Sequence, residues 1–548
     1  MPLPCLRLLT AAAALALLPA LAAQEPAQEA PPPPSIPTGA YTITRNVRLV
    51  VLDAVVLDAK GNPVTDLQQS DFHITEDNDP QAIRDFEAPG RYTPPPSVTI
   101  DSTADLDRLA PRAPVNIVLL DEFNTHFDDM AFARYSLKSW LEKQPAKLDT
   151  PTMLIAVTLE KFTVLRDYTQ NKEEILKALD HHFVVDPWQL RGGSWLSERY
   201  STALVSLRRV SEAVIGHPGH KTMIWVGRGF PTLNISKMAV DDSNRLNNAV
   251  QQTIDQLRDA RVTLYTIDPA GVMFDASKYD EGSPGAEQGM LAPFGGNPDF
   301  AAIASATGGR NLYGRNDVDR EIGSSIRDGS SFYSFSYHPT NPTTDVMKFR
   351  RIKVMVDRPG LTVVTRQGYY PDLRPPRLTK EGIAGRTMTR EMFGAATSNM
   401  VYDGVSFAVR RSPTAPKSFQ FHVDGQGLIW SAGNGGKSRS TRLILLITYY
   451  DKKGHELKHE GTSMSFDAPP GSPPMGNFDH PLNFHFDVSP DSKAARARVV
   501  VRVEASGRMG TADLDLTNAT AIAQSAPPVS NTPVTPASTP TPPASSTP

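Results

Sequence analysis

Four short apolar runs, separated by helical patterns, constrain the fold of this chain more than any other feature. The runs are VNIVLL (115–120), TMLIAVT (152–158), KTMIWV (221–226) and VTLYTI (262–267). Strands that are apolar on both faces suit a parallel sheet covered by helices on each side. Apolar residues recur at helical spacing between these runs, as in 203–214 and 247–260. Residues 113–330 are therefore predicted to form an α/β domain with a doubly wound, mostly parallel sheet.

The segments that flank this domain have the alternating pattern of β-strands. Residues 41–90 contain VRLVVLDAVVLDAKGNPV and DFHITED, with the turn signals DAKGN and DNDP, and are predicted to form a small β module. One hypothesis is that the strands at 331–372 complete this module, because so short a module buries little core alone. Residues 398–520 suggest an antiparallel β-sandwich. The stretches 88–112 and 373–395 are predicted to be linkers.

The first residues have the features of a secretory signal. Residues 1–23 contain one arginine, an apolar core and small residues before a cleavage site near Ala22 or Ala23. A membrane anchor is the alternative, but Leu8–Leu18 is too short to span a bilayer. We found no other stretch long enough to cross a membrane. The protein is therefore expected to be exported to the periplasm, the outer surface or the medium.

Charge and composition limit the partners of this chain. The 548 residues carry a formal net charge of −3, so they provide no basic field, which argues against nucleic acid as a partner. The one cysteine, Cys5, lies in the predicted signal, so the mature chain is expected to lack disulfide and thiol chemistry. The Pro-rich linker 24–40 and the Pro/Thr/Ser tail 521–548 are predicted to be disordered, because they cannot bury enough apolar surface.

Polar residues follow the first apolar run directly, in the sequence LLDEFNT. Asp121 ends the predicted strand, and Asn124 and Thr125 come soon after it. Ligands of open α/β sheets bind beyond the carboxyl ends of the strands, so these side chains are predicted to face a ligand. The alternative is that Asn124 and Thr125 cap the helix that starts near Phe127. The two roles can coexist.

These residues also resemble a known family, the von Willebrand factor type A domain, and within it the exported VWFA-related proteins of Acidobacteria. The resemblance covers about residues 43–370. It rests on LLDEFNT, GHKTMIWVGRGFP (219–231), VTLYTIDPAG (262–271) and IASATGGRNLY (303–313), in that order and spacing. It implies a type A fold that binds other molecules.

Type A domains often carry a metal-ion-dependent adhesion site, in which oxygen ligands hold Mg²⁺. By this resemblance Asp121 and Thr125 would be metal ligands, whereas Phe123 occupies the first serine position of D-x-S-x-S and supplies no oxygen. Arg228 stands where the family has an aspartate, and Ser194 is a weak candidate for the second-loop threonine. The adhesion site is therefore expected to be degenerate, with the Arg228 guanidinium paired to Asp121 in place of the cation. Binding of Mg²⁺ at Asp121 and Thr125 is the alternative.

Other patterns add no catalytic site. His181 and His182 are interpreted as solvated loop histidines, and 282–298 as a Gly/Pro-rich surface loop. The sequence has no G-x-S-x-G or H-E-x-x-H motif to support a hydrolase. The expected function is non-enzymatic binding or adhesion, with a protein or an envelope polymer as partner and no cofactor. The alternatives are a periplasmic structural or assembly scaffold and a hydrolase that acts on envelope polymer.

Overall fold

A computed structural model describes the part of the chain on which the following sections rest. The described residues are 49–159, 161–183, 195–230, 239–271, 300–340, 348–371, 381–412, 415, 417–433, 438–469, 471–472 and 478–525. The predicted signal, the Pro-rich linker, Ser194 and the loop 282–298 lie outside these residues, as does the tail from 526 onward.

The described chain begins with strands and one short helix. These elements are β1 (Val50–Leu57), β2 (Phe72–Glu76), β3 (Asp79–Gln81), β4 (Asp85–Glu87) and α1 (Thr103–Leu109). The Ser102 side chain accepts a hydrogen bond from the amide of Asp105 and so caps α1. The prediction of a linker over 88–112 is therefore wrong where this capped helix forms.

The next segment forms a six-stranded sheet with helices. Its strands are β5 (Val115–Asp121), β6 (Lys147–Val157), β7 (Phe162–Asn171), β8 (Lys221–Val226), β9 (Val262–Ile267) and β10 (Asn311–Leu312). Its helices are α2 (Phe127–Glu142), α3 (Lys172–His181), α4 (Trp195–Ala213), α5 (Val240–Asp259), α6 (Phe300–Thr307) and α7 (Val318–Ser330). The strand order is β10-β9-β8-β5-β6-β7, and β7 alone runs antiparallel to its neighbour. This mixed sheet is consistent with a type A-like α/β fold.

Strands on both sides of this α/β segment pair with each other. The later strands are β11 (Phe332–Tyr337), β12 (Arg350–Val356), β13 (Thr362–Thr365) and β14 (Gly368–Tyr369). β1 pairs with β11 and β13, and β2 pairs with β12, so two four-stranded sheets contain strands from both ends of the segment. Apolar residues of both groups share one core. The α/β segment is thus inserted into a β module.

A helix and a β-sandwich complete the described chain. The elements are α8 (Glu381–Thr397), β15 (Phe407–Arg411), β16 (Ser418–Val423), β17 (Ser431–Gly433), β18 (Ser438–Tyr450), β19 (Glu456–Asp467), β20 (Leu482–Asp487), β21 (Arg496–Val503), β22 (Met509–Asp515) and β23 (Ile522–Gln524). One sheet has the order β20-β16-β15-β23, and the other has the order β17-β18-β21-β22 with β19 on β18. Their apolar residues form one core.

Two sequence predictions fail in this region. The linker predicted over 373–395 contains most of α8, because Met392 and Ala395 are buried in the core of the α/β domain. The disordered tail predicted from 521 begins too early, because β23 pairs with β15. Within the described part of the chain, no helix is long and apolar enough to cross a membrane.

A buried group of charges lies at the amino end of β8. The ammonium of Lys221 donates to three backbone carbonyls, those of His217, Gly219 and Ala260. Burial lowers the pKa of Lys221, but three carbonyl acceptors are satisfied only by an ammonium with three hydrogens. Asp403, which precedes the sandwich, accepts a hydrogen bond of 2.7 Å from the amide of Gly216. Burial, and then the charge of Asp107, raises the pKa of Asp403 to about 7.

The protonation of Asp403 should make stability depend on pH. A carboxyl whose pKa is raised by folding contributes stability that is fully present below its unfolded pKa of 3.8 and is lost as the pH rises through the folded pKa of about 7. We expect the wild type to lose about 1 kcal/mol of unfolding free energy between roughly pH 6 and 8 that Asp403→Asn does not lose. Urea unfolding of both proteins at the two pH values measures this difference. An equal loss in both proteins would contradict the assignment.

Candidate functional site

The carboxyl ends of β5 and β8 lie side by side at the point where the strand order of the sheet reverses. From β5 the chain continues to β6 on one side, whereas from β8 it continues to β9 on the other. Crevices at such switch points are where open α/β sheets bind ligands. Asp121 is the last residue of β5, and Gly227 directly follows β8, so the first predicted residue of the site lies at this point.

The Asp121 carboxylate connects three parts of the chain. It is fully buried, and its Oδ1 accepts a hydrogen bond of 2.9 Å from the amide of Asn124. Its Oδ2 accepts from the indole of Trp225 on β8, at 2.9 Å, and from the amide of Gly229, at 3.0 Å. Burial raises the pKa of Asp121 to about 7, while these hydrogen bonds and the charge of Arg199 act in the opposite direction. The carboxylate therefore holds the loops after β5 and β8 together.

Arg199 is the site residue that the sequence reasoning missed. It lies near the start of α4, and its guanidinium donates from Nε to the Asn124 side-chain oxygen and from Nη2 to the Asn124 carbonyl, at 3.0 Å. Asn124 itself is 1% exposed. The two residues are 75 positions apart, and no motif in the sequence links them. The arginine fork thus fixes the loop after β5 from a neighbouring helix.

Arg228 does not pair with Asp121, so the predicted pairing is wrong. Its guanidinium lies 3.1 Å from a carboxylate oxygen of Asp129 on α2 and 3.9 Å from one of Asp268 after β9. Its backbone amide donates to the hydroxyl of Thr125 at 3.2 Å. The physical reason is that Trp225 and Gly229 already donate to Oδ2 of Asp121, whereas Asp129 and Asp268 offer acceptors on the outer side.

Two alternative interpretations of neighbouring residues also fail. The N-cap of α2 is His126, which makes no side-chain capping hydrogen bond. The Asn124 and Thr125 side-chain oxygens accept instead from the Arg199 guanidinium and from the backbone amide of Arg228. His182 is not a solvated loop residue, since its Nε2 lies 2.8 Å from a carboxylate oxygen of the buried Glu122.

The residues at this edge do not fit a divalent cation. Both oxygens of Asp121 and the hydroxyl of Thr125 accept hydrogen bonds from N–H groups. Phe123 turns into the core, where it is 3% exposed and meets the Trp225 ring edge-on at 6.3 Å. Mg²⁺ requires several oxygen ligands free to coordinate it. Among the described residues, no group of three or more His, Cys, Asp or Glu side chains is placed to hold a metal.

Three exposed aromatic side chains lie at the ends of elements on the carboxyl side of the sheet. Phe127 opens α2 and is 55% exposed, and Tyr313 directly follows β10 and is also 55% exposed. Phe183 is 77% exposed and follows His182, which bonds to Glu122 beside Asp121. All three lie next to the end of a strand or at a terminus of a helix, on the carboxyl side of the sheet. We call these three residues the aromatic edge. Exposed aromatic residues of this kind are enriched at protein interfaces.

Comparisons with known proteins add little to this picture. No family model matches the chain, and no curated protein matches its sequence. Manganese-loaded TRAP protein of Plasmodium vivax is 11% identical, with a TM-score of 0.23, over 46% of this chain and 94% of its own. The SpRpn10 VWA domain is 12% identical, with a TM-score of 0.17, over 29% of this chain and 89% of its own.

Proposed function

We propose that this chain is an exported, non-enzymatic binding protein that recognises another protein through the carboxyl edge of its six-stranded sheet. The observation that carries the proposal is the aromatic edge, with Phe127, Phe183 and Tyr313 each more than half exposed around a switch point. Large aromatic side chains in contact with water contribute strongly to binding when a partner covers them. The absence of the common hydrolase motifs from the sequence favours binding over catalysis.

Packing and hydrogen bonds that fix the loops after β5 and β8 also favour recognition. In the loop after β8, Phe230 stacks on Tyr200 at 4.1 Å and meets Phe300 edge-on at 5.1 Å. The hydrogen bonds of Asp121 and Arg199 fix the loop that precedes Phe127. A surface held in place before binding loses less conformational entropy when the partner arrives. In this proposal the β module and the β-sandwich carry the α/β domain, and the adhesion site is a degenerate one.

Binding through the aromatic edge predicts which substitutions abolish capture of a partner. The full chain is used to capture and cross-link proteins from envelope extracts, together with the double variant Phe127→Ser/Phe183→Ser. We expect the double variant to retain less than about a tenth of the captured partner, because losing two aromatic anchors costs more than 1.4 kcal/mol.

The matched control is Ile522→Ser, which removes a side chain that is 58% exposed on β23 of the sandwich. This control should capture as much partner as the wild type. Equal capture by all three proteins would show that the aromatic edge is not the binding surface. Partner release by enzymes that digest envelope polymer, with no protein cross-link, would identify the polymer as the ligand instead.

A further inference from the structure

We infer that Arg199 is the fixed cation of the carboxyl edge and that this edge is organised, and binds, without a divalent metal ion. Arg199 is then a positioning residue, which acts on the partner through the loop after β5. The effect of Arg199 on a partner rests on the proposed binding function. The absence of a metal from the edge is argued from the geometry of the edge alone.

A metal ion in an adhesion site joins several loops and balances the charge of the carboxylate that holds it. Here the loops are joined by hydrogen bonds instead, since Asp121 accepts from Asn124, Trp225 and Gly229. Arg199 adds a fourth connection, because its fork binds both the side chain and the carbonyl of Asn124. The connecting role of a metal is thus filled by groups of the chain.

The positive charge beside Asp121 also comes from Arg199. Two carboxylates, those of Asp129 and Asp268, lie within 4 Å of the Arg228 guanidinium and neutralise it on the outer side. The Arg199 guanidinium donates its hydrogen bonds to Asn124, which is neutral and does not balance its charge. The positive charge of Arg199 therefore acts on the Asp121 carboxylate. Although Arg228 replaces the family's aspartate in the sequence, Arg199 therefore holds the charge of the missing cation.

The buried side-chain nitrogen of Asn124 also disfavours a metal at Asp121. The Asn124 amide nitrogen is buried, and it has no hydrogen-bond partner among the residues that the structure describes. This N–H group, like the two guanidinium groups, is a donor, and donors repel a cation rather than coordinate it. These donors therefore disfavour an ion beside Asp121.

The first test uses the unmodified protein and metal ions alone. Isothermal titration calorimetry and thermal unfolding of the full chain are measured with millimolar Mg²⁺, Mn²⁺ or Ca²⁺. We expect no saturable heat and no rise in melting temperature, because a ligand that binds the native state raises it by mass action. Saturable binding that disappears in Asp121→Asn would overturn the inference.

The second test asks whether the charge of Arg199 matters or only its bulk. Hydrogen exchange at the amides of Asn124 and Gly229 is compared in Arg199→Gln, which keeps polar groups, and in Arg199→Lys, which keeps the charge. We expect exchange to rise about tenfold in Arg199→Gln, since charge-assisted contacts are worth roughly 1.4 kcal/mol more than neutral ones. Arg199→Lys should rescue much of this protection.

Arg228→Gln is the control, because it removes a guanidinium of the same edge that pairs elsewhere. It should leave exchange at both amides unchanged. Equal exchange in Arg199→Lys and Arg199→Gln, or the same increase in Arg228→Gln, would show that Arg199 is not the fixed cation. Neither test involves a partner, so a failure of the capture experiment leaves this inference standing, and the reverse also holds.

Discussion

Gly227→Ala should lower the free energy of unfolding by about 3–5 kcal/mol, through backbone strain and overpacking together. Gly227 has φ of 151°, a conformation that L side chains rarely adopt. A Cβ atom there would lie 2.4 Å from Cβ of Asp121 and 2.6 Å from the hydroxyl oxygen of Thr125. The backbone cannot simply retreat, because the Gly227 amide donates to the carbonyl of Ile267 at 2.9 Å. Urea unfolding followed by circular dichroism measures the loss.

Gly61→Ala separates the clash from the strain. Gly61 has φ of 79°, and no atom lies within 4 Å of the position that its Cβ would take. This variant should therefore lose only the conformational contribution, about 1 kcal/mol. If Gly227→Ala costs no more than Gly61→Ala, the loops at Asp121 are not packed as tightly as described.

Sequence reasoning placed one residue of this site, Asp121, correctly. The run VNIVLL, apolar on both faces, predicted a buried strand that ends at Asp121, and β5 ends there. The position of Asp121 follows from local pattern and from the general rule for open sheets. Its partners do not, because Trp225 and Gly229 reach it from more than 100 residues away.

Arg199 and Arg228 illustrate the limit of reasoning from motifs. The resemblance to the type A family placed Arg228 where that family has an aspartate. It therefore suggested that the Arg228 side chain pairs with Asp121. The backbone of that loop does approach Asp121, through the Gly229 amide, but the Arg228 side chain turns outward to Asp129. Only the packing of α4 against the sheet brings Arg199 to Asn124, and periodicity does not specify that contact.

The apolar pattern of the sequence also did not identify β7, the strand at the edge of the six-stranded sheet. β7, FTVLRDYTQN, mixes apolar and polar residues because it is the outer strand of the sheet and is only partly buried. Its outer edge is covered by Asn399, whose side chain exchanges two hydrogen bonds with the backbone of Val164. An edge covered by a distant side chain leaves no local signal in the sequence.

Glu76→Ala should lower the free energy of unfolding by about 3–5 kcal/mol, because it leaves a buried guanidinium without its main partner. Glu76 ends β2 and is fully buried, and its carboxylate lies 2.5 Å from the Arg350 guanidinium on β12. It also accepts a hydrogen bond of 2.6 Å from the hydroxyl of Tyr337, which is 261 positions away. Glu76 thereby joins the halves of the β module across the inserted domain.

An exposed ion pair of the same module provides the control for this prediction. Asp66 lies 3.0 Å from Arg358 across the same two halves, but both side chains are exposed. Asp66→Ala should therefore leave the urea midpoint nearly unchanged, because solvent screens such pairs. Glu76→Gln should fall between the two variants, since its amide oxygen still accepts from Tyr337 but carries no charge for Arg350. A Glu76→Ala midpoint equal to that of Asp66→Ala would mean that apolar packing alone, through residues such as Phe335 and Ile74, holds the halves of the module together.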